Sequence, residues 1–566
     1  MWLPDLPPFV PFLIIALLVF FSRGPLVTAL MLVAPVWGAL NLWQLDPGLT
    51  WQMTLVELPL MPLRVDQLSL FFGYLFHLAA FFCIIYALHV RDKVQQLACL
   101  LYSAAALGAV FAGDLLSLFI FWEMMALSSV FLIWARRSHD AFSCGLRYLV
   151  FQVISGLLLL TGALFYWHSH GSLTFSQMPL QGAAGWLIFL AFGIKCAFPM
   201  LHSWLTDAYP GATVTGTVFL SAFTTKVAVY ALARSFAGTE LLVYIGAVMT
   251  CFPIFYAVIE NDLRRVLAYS LINQLGFMVV GIGIGTELAI NGAVAHAFND
   301  VLFKGLLFMS MGAVLHMTGR INGSELGGLY KTMPKTTWLC LIGAASISAF
   351  PLFSGFVSKS MVMTAVLNQG YDWVWLALLF ASAGVFHHAG IKIPYFAFFA
   401  HDSGIRTQDP PGNMLLAMVI AATLCLAIGI YPNLLYQLLP FTSNYQPYDV
   451  SHVLAQTQLL CFAALAFLWL NVKGIYPPEL ASVNLDADWL YRRLLANLWT
   501  NFINKVWQLD LALRQGFLDK LKQVLALVEK YHRPNGILAR GQTVGNMTLW
   551  IAILLACSLG LSFISN

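Results

Sequence analysis

The chain has 566 residues, of which 60% are hydrophobic and only 10% charged, and its formal net charge is +4. A soluble surface cannot be built from so few charges, so a water-soluble protein is excluded and a polytopic membrane protein is expected.

The N-terminus, MWLPDLPPFV, has no basic region and leads straight into the first apolar run, so no signal peptide is expected. Runs long enough to cross a hydrocarbon core begin near residues 8, 25, 68, 94, 114, 145, 183, 212, 239, 264, 288, 336, 372, 412, 452 and 546, about sixteen in all. With the N-terminus outside, the inner loops hold Arg23, Arg91, Lys93, Arg136, Arg137, Arg147, Arg264, Arg265, Arg320, Lys331, Lys335 and Arg406, against Arg64 and Arg234 outside. That bias follows the positive-inside rule and predicts both termini on the periplasmic or outer face.

Taken in chain order, the spans carry a sparse set of ionisable residues. FWEMMALSS puts Glu123 about mid-span, and GIKCAFPMLHSW puts Lys195 one turn before Pro199. Lys226 follows in the next span. HAFNDVLFKG carries His296, Asp300 and Lys304, and FPLFSGFVSK carries Lys359 after Pro351. Lys392 lies in HHAGIKIPYF, closer to a span end, where it reads either as a pathway group or as a snorkelling side chain. A lysine at a helix centre costs about 2.5–3.5 kcal/mol on insertion scales, so intramembrane charge marks a pathway by default. Asp300 and Lys304, four apart, are expected to meet on one helix face. A carboxylate beside a buried lysine makes a tunable proton site, since desolvation and pairing push the lysine in opposite directions. His296 falls near the face of Lys304 and reads either as a proton-passing group or as a packing histidine.

The nine cysteines form no CxxC pair and read as packing residues, so no disulfide framework, zinc site or iron–sulfur cluster is expected. His387 and His388 point in different directions on a helix, which argues against a shared metal. No phosphate-binding Gly loop or dinucleotide fingerprint appears, and no cofactor is expected.

Residues 484–532 change pattern. Leu495, Leu498, Phe502, Val506 and Leu509, then Phe517, Leu521, Val524 and Val528, recur at helical spacing with charges between them. The reading is an amphipathic helix on the cytoplasmic face, about 70 Å long if helical throughout. Asn484 or Asp486 would cap its start, HRPNG would end it, and a last span would follow.

AFPMLHSWLTDA, around Pro199, overlays on AFPLFSGFVSKS, around Pro351. Residues 94–236 would then correspond to 239–401, five spans each, and an odd number per unit inverts the second in the membrane. Inverted repeats with interrupted helices are a transporter architecture.

Together FWEMMALSS, GIKCAFPMLHSWLTDAYPGATVTGTVFLSAFTTK, NDLRRVLAYSLINQLGF, HAFNDVLFKGLLFMSMGAVLH and FPLFSGFVSK make residues 94–366 resemble the antiporter-like subunits shared by respiratory complex I, membrane-bound hydrogenases and Mrp-type cation/proton antiporters. The resemblance implies an all-α fold: a fourteen-helix core with two inverted five-helix repeats, helices 7 and 12 broken, and an added lateral helix. The expected divisions are 1–93, 94–236, 239–401, 412–473, 484–532 and 546–564. It further implies that Glu123 pairs with Lys195, that Lys226 connects, that His296 and Lys304 bridge, and that Lys359 ends a hydrated axis in the membrane plane. Two departures stand out: Asp300 replaces the family's usual His, and SKS replaces the frequent SKE, leaving Lys359 without an adjacent acid.

The resulting expectation is a proton-translocating subunit, most like the D-type subunit of an Mrp-like Na+/H+ antiporter, in a bacterial inner membrane with other membrane subunits as partners. The equivalent subunit of an NADH dehydrogenase, hydrogenase or inorganic-carbon uptake complex is the alternative within transport. A redox enzyme binding its own haem or quinone would need axial His pairs or a cofactor pocket, which the sequence lacks. A scaffold with an inactive pathway is the remaining alternative.

Overall fold

In the computed structural model, which describes residues 6–55, 58–476, 479–480, 484–538, 540–541 and 543–564, the chain is helical nearly throughout. Its first part comprises α1 (Val10–Phe21), α2 (Pro25–Trp43), α3 (Gln67–Ala87), α4 (Lys93–Phe111), α5 (Leu115–Trp134) and α6 (His139–His170). Next come α7 (Gly182–Lys195), α8 (Ser203–Gly211), α9 (Val214–Ala222), α10 (Thr224–Ser235), α11 (Glu240–Ile259), α12 (Leu263–Ile284) and α13 (Glu287–Thr318). They are followed by α14 (Pro334–Ile347), α15 (Ser354–Asn368), α16 (Asp372–Val385), α17 (Gly412–Ile430), the short α18 (Asn433–Tyr436) and α19 (Val450–Val472). Among the described residues thirteen helices are long and apolar enough to cross a membrane by length and composition. The three other expected spans are the short α1 and the paired half-helices α7/α8 and α14/α15.

Helix starts follow local chemistry. Asp66 accepts from the Ser69 N–H while the Ser69 hydroxyl accepts from the Asp66 N–H, a reciprocal cap on α3. Asp92, Asp114, Ser138, Thr213, Asp262 and Thr286 each accept from a first-turn N–H of the helix they precede. Each satisfies backbone donors that the helix itself leaves unpaired.

One element lies outside the all-helical expectation. Strands β1 (Thr50–Leu55) and β2 (Leu58–Arg64) pair antiparallel between α2 and α3. Met61 N–H donates to the Asp114 carboxylate at 2.6 Å and its carbonyl accepts from Gly113 N–H at 2.7 Å, tying the hairpin to the start of α5.

The two proline motifs take the same backbone shape. In AFPM, Ala197 and Met200 have φ of 61° and 68°; in AFPL, Ala349 and Leu352 have φ of 57° and 74°. A left-handed non-glycine residue costs about 1–2 kcal/mol, so each Phe-Pro pair sits between two strained turns and the helix cannot continue through it. The second break is closed tightly: the Ser346 and Ser354 hydroxyls lie 2.9 Å apart, and a Cβ on Gly355 would overlap the Ser346 carbonyl oxygen. Gly355→Ala is therefore expected to destabilise the protein by about 1–3 kcal/mol, the usual cost of overpacking. Thermal unfolding in detergent checks this, and an unchanged transition would mean that the two half-helices move apart freely.

The chain divides into two compact units, Met1–Ala487 and Asp488–Asn566. In the second, a π-helical turn (Leu490–Leu495) leads into α20 (Ala496–His532), and α21 (Val544–Ile564) follows. Neither α20 nor α21 buries a residue within the chain. The regular α-helix is shorter than expected, 37 residues or about 55 Å, because it does not start at Asn484 or Asp486. The side chains of those two residues are used within the first unit instead.

Candidate functional site

The first half-helix α7 ends at Lys195, whose side chain is fully buried. Its Nζ donates to the Trp122 carbonyl at 2.6 Å and stands 4.4 Å from the centroid of the Trp122 ring. A ring face and a carbonyl together hold a desolvated ammonium without neutralising it. Glu123, the next residue on α5, is the opposing charge acting on Lys195. The two form no direct ion pair, and the Glu123 Oε1 has no hydrogen-bond partner among the described residues. The expected Glu123–Lys195 contact is thus open, because the neighbouring Trp122 carbonyl takes the ammonium. The carboxylate lies over Gly156 of α6, where any Cβ would collide with Oε1.

Lys226, in the first turn of α10 after a kink at Phe223, is also fully buried. It donates to the Ser221 carbonyl at 3.0 Å and lies 2.5 Å from Asp300 Oδ2. This corrects the expected Asp300–Lys304 pair. The two residues share α13, but a neighbouring helix brings Lys226 onto the carboxylate, while the Lys304 ammonium reaches the Leu267 carbonyl of α12 at 3.3 Å. Spacing along one helix permits a contact worth only about 0.2–0.5 kcal/mol on a surface, and packing between helices decides which partner arrives.

His296 is buried and its two ring nitrogens are both engaged, with the Ser358 hydroxyl at 3.0 Å and the Gln274 carbonyl oxygen at 3.1 Å. Asn299 donates to the same Ser358 hydroxyl at 3.1 Å. One residue further along α15, Lys359 donates to the Ile347 carbonyl at 2.9 Å and stands 5.0 Å from the Phe277 ring centroid. Lys195 and Lys359 therefore share one mode of support, a carbonyl plus an aromatic face, although they sit on opposite sides of their breaks.

Lys392 does not snorkel. It is fully buried, 2.9 Å from Glu479 Oε1, and donates to the carbonyls of Val258 and Glu260 at 2.6 and 2.7 Å. Glu479 belongs to the connector after α19, which folds back on the core. Asn484 there donates to Glu260 Oε2 at 3.1 Å. Asp486 accepts from the Tyr269 hydroxyl at 2.6 Å and lies 3.1 Å from His202 Nε2, just past the first break. Burial opposes charge on Asp486, but the bonds from His202 and Tyr269 outweigh it and hold its carboxyl below the usual range.

Gln274, Ser358, Asn299, Glu260, Glu479 and His202 went unassigned in the sequence, and Asp486 read only as a helix cap. Gln274 was detectable, since NQ is an adjacent amide pair inside the apolar run LINQLGFMVV. Glu479 carried no signal, because it lies outside any span.

Taken together, Lys195, Lys226, Asp300, Lys304, His296 and Lys359 furnish buried groups of both signs, and the half-buried Glu123 acts on Lys195. Such groups can take up, hold and pass protons.

Comparisons with known proteins concern this same region. Residues 112–387 match the family described as NADH:quinone oxidoreductase/Mrp antiporter, TM. The D-type subunit of the Na(+)/H(+) antiporter of Alkalihalophilus pseudofirmus is 29% identical over 352 residues, covering 58% of this chain and 71% of that one. Hydrogenase-4 component B of Escherichia coli is 28% identical over 422 residues, covering 65% of this chain and 62% of that one. Among solved structures, the Mrp complex from Dietzia sp. DQ12-45-1b matches with a TM-score of 0.74 at 21% identity, over 99% of this chain and 62% of that one.

Proposed function

We propose that this chain, whose residues 112–387 match the family of NADH:quinone oxidoreductase and Mrp antiporter subunits, moves protons as one subunit of a multisubunit monovalent cation/proton antiporter. The observation that carries the reading is the set of buried ionisable groups. Lys195 and Lys359, each held by a carbonyl and a ring, frame Lys226–Asp300, Lys304 and His296. A buried lysine without a direct acidic partner is poised to lose its proton, and one paired with a carboxylate is poised to keep it. Shifting a carboxylate toward or away from a lysine then loads or releases one proton, with Glu123 as the switch partner of Lys195. Broken helices suit this role, since irregular backbone at membrane depth is tolerated where it lines a cavity.

The similarity to a D-type Na(+)/H(+) antiporter component supports sodium as the exchanged cation. In this reading residues 94–236 and 239–401 are the two inverted repeats, the membrane is the bacterial inner one, and both termini face outward. The amphipathic α20 and the last span α21 then brace the chain against neighbouring subunits, which fits their unburied apolar side chains. A redox-driven complex is the second reading, favoured by the similarity to a hydrogenase component. Proteoliposomes holding the purified complex separate the two. An imposed sodium gradient is expected to move protons, reported by a pH-sensitive dye, with no electron donor present; movement that requires a donor would overturn the antiporter reading.

A further inference from the structure

We propose that the row of buried groups has an inner branch, running from Lys304 through His388 and Lys392 to Glu479, with Glu479 as its terminal proton acceptor. The proposal rests on the proton-pathway reading of Lys304 and Lys359.

The branch is built on an irregular segment. After α16 the helix widens into a π-helical turn, Phe386–Lys392, and a second one, Tyr395–Phe399, follows Pro394. Such turns are uncommon and recur at functional sites. This one is seated against the second helix break: a Cβ on Gly390 would overlap the Ser348 hydroxyl at the end of α14. His388 and Lys392, four residues apart, are both fully buried.

His388 is the unexplained group. Neither of its ring nitrogens has a hydrogen-bond partner among the described residues. The charges of Lys304, Lys359 and Lys392 and the ring of His387 all act on it. A buried polar group left unsatisfied costs about 1–3 kcal/mol, which packing alone gives no reason to bear. A relay does give one, since it needs one nitrogen free to accept a proton and the other free to give one away.

Lys392 leads outward from there. Its ammonium donates to the Val258 and Glu260 carbonyls and lies 2.9 Å from Glu479 Oε1. Two carboxylates stand at this end, and they are not equivalent. Glu260 accepts from the Asn261 and Asp262 N–H groups and from Asn484, and its Oε2 lies 3.8 Å from Arg265. Glu479 faces Lys392, with Glu260 and the Tyr476 hydroxyl as the other titratable groups in range. Burial pushes the Glu479 carboxyl above the ordinary range against the pull of Lys392. Glu479 is thus the group free to change state. Asn484 and Asp486 hold the connector through Glu260, His202 and Tyr269 and so act as positioning residues.

Each step moves one proton. The Lys392 ammonium gives a proton to Glu479, converting a buried ion pair to a neutral amine and acid. The Lys392 amine takes the N–H proton of a protonated His388, and the opposite His388 nitrogen accepts the next proton from Lys304. Run backward, the same steps load the axis.

The test uses the intact complex in proteoliposomes. Glu479→Gln and His388→Gln are each expected to cut proton-coupled transport on the order of 100-fold, as loss of a positioned proton donor or acceptor does. Glu479→Asp should restore transport with a displaced pH profile. Wild-type rates and pH profiles in both Gln variants would overturn the branch and leave these residues structural. Should His388→Gln lower the yield of complex, the near-isosteric Glu479→Gln, on the connector, decides alone. Lys195→Ala in the same preparation separates the two levels: silence there as well would sink the whole pathway reading, whereas loss there with silent Gln variants removes the branch only.

Discussion

Replacing Lys195 by Ala is expected to abolish cation-coupled proton transport by the reconstituted complex while leaving its assembly intact. The ammonium is fully buried on a carbonyl and a ring, with Glu123 close enough to act on it and yet not in contact. Loss of the amine removes the proton carrier, and the partner left behind, Glu123, already lacks a hydrogen bond on Oε1. Lys195→Arg sharpens the result. Arginine keeps the positive charge but does not release its proton at any physiological pH. Transport should therefore be lost in the Arg variant too, although its charge is preserved. Transport that survived in Arg would mean that a fixed charge suffices; transport that survived in Ala would leave Lys195 a bystander at a packing kink. Dye-reported proton movement, normalised to the amount of assembled complex, makes the measurement.

The second large effect concerns stability. Lys226 and Asp300 are each 0% exposed and 2.5 Å apart. Removing one partner of such a pair strands an uncompensated charge and costs about 3–5 kcal/mol, so Asp300→Asn is expected to lower the unfolding transition strongly. The combined replacement Lys226→Met with Asp300→Leu removes both charges, and apolar substitution of a buried pair is commonly neutral or stabilising by about 1–4 kcal/mol. The double variant should thus regain the lost stability and still fail to transport. Thermal unfolding and transport on the same preparations test this. An Asp300→Asn protein as stable as the parent would show that the pair is not a closed one. A double variant that transports would remove this pair from the pathway.

These effects bear on how far the residues themselves disclosed the site. Buried charge was legible: a lysine inside an apolar run stands out whatever the fold, and Lys195, Lys226, Lys304 and Lys359 were all marked that way. The breaks were legible too, since Pro199 and Pro351 interrupt apolar runs, and their AFPM and AFPL quartets proved to share left-handed turns. Partners were not. Asp300 was assigned to Lys304 because helical periodicity relates residues four apart, whereas the carboxylate meets Lys226 from another helix. Lys392 stayed open between a pathway group and a snorkelling side chain because its partner, Glu479, lies far along the chain in a connector with no pattern of its own. Asp486 looked like a helix cap and instead meets His202 across 284 residues of sequence.

The division has a physical origin. Partition into lipid, helix capping and proline breaks depend on a residue and its near neighbours, so composition and spacing alone determined that this chain spans a membrane, where most helices start, and which side chains are costly there. Which ammonium meets which carboxylate depends on how helices far apart in the chain rotate and cross. A shift of a few ångströms between packed helices exchanges one partner for another at almost no cost in apolar burial. Only the tertiary structure decided that Lys226 takes Asp300, that Lys195 rests on Trp122 with Glu123 held off, and that the connector carries Glu479 and Asp486 into the core.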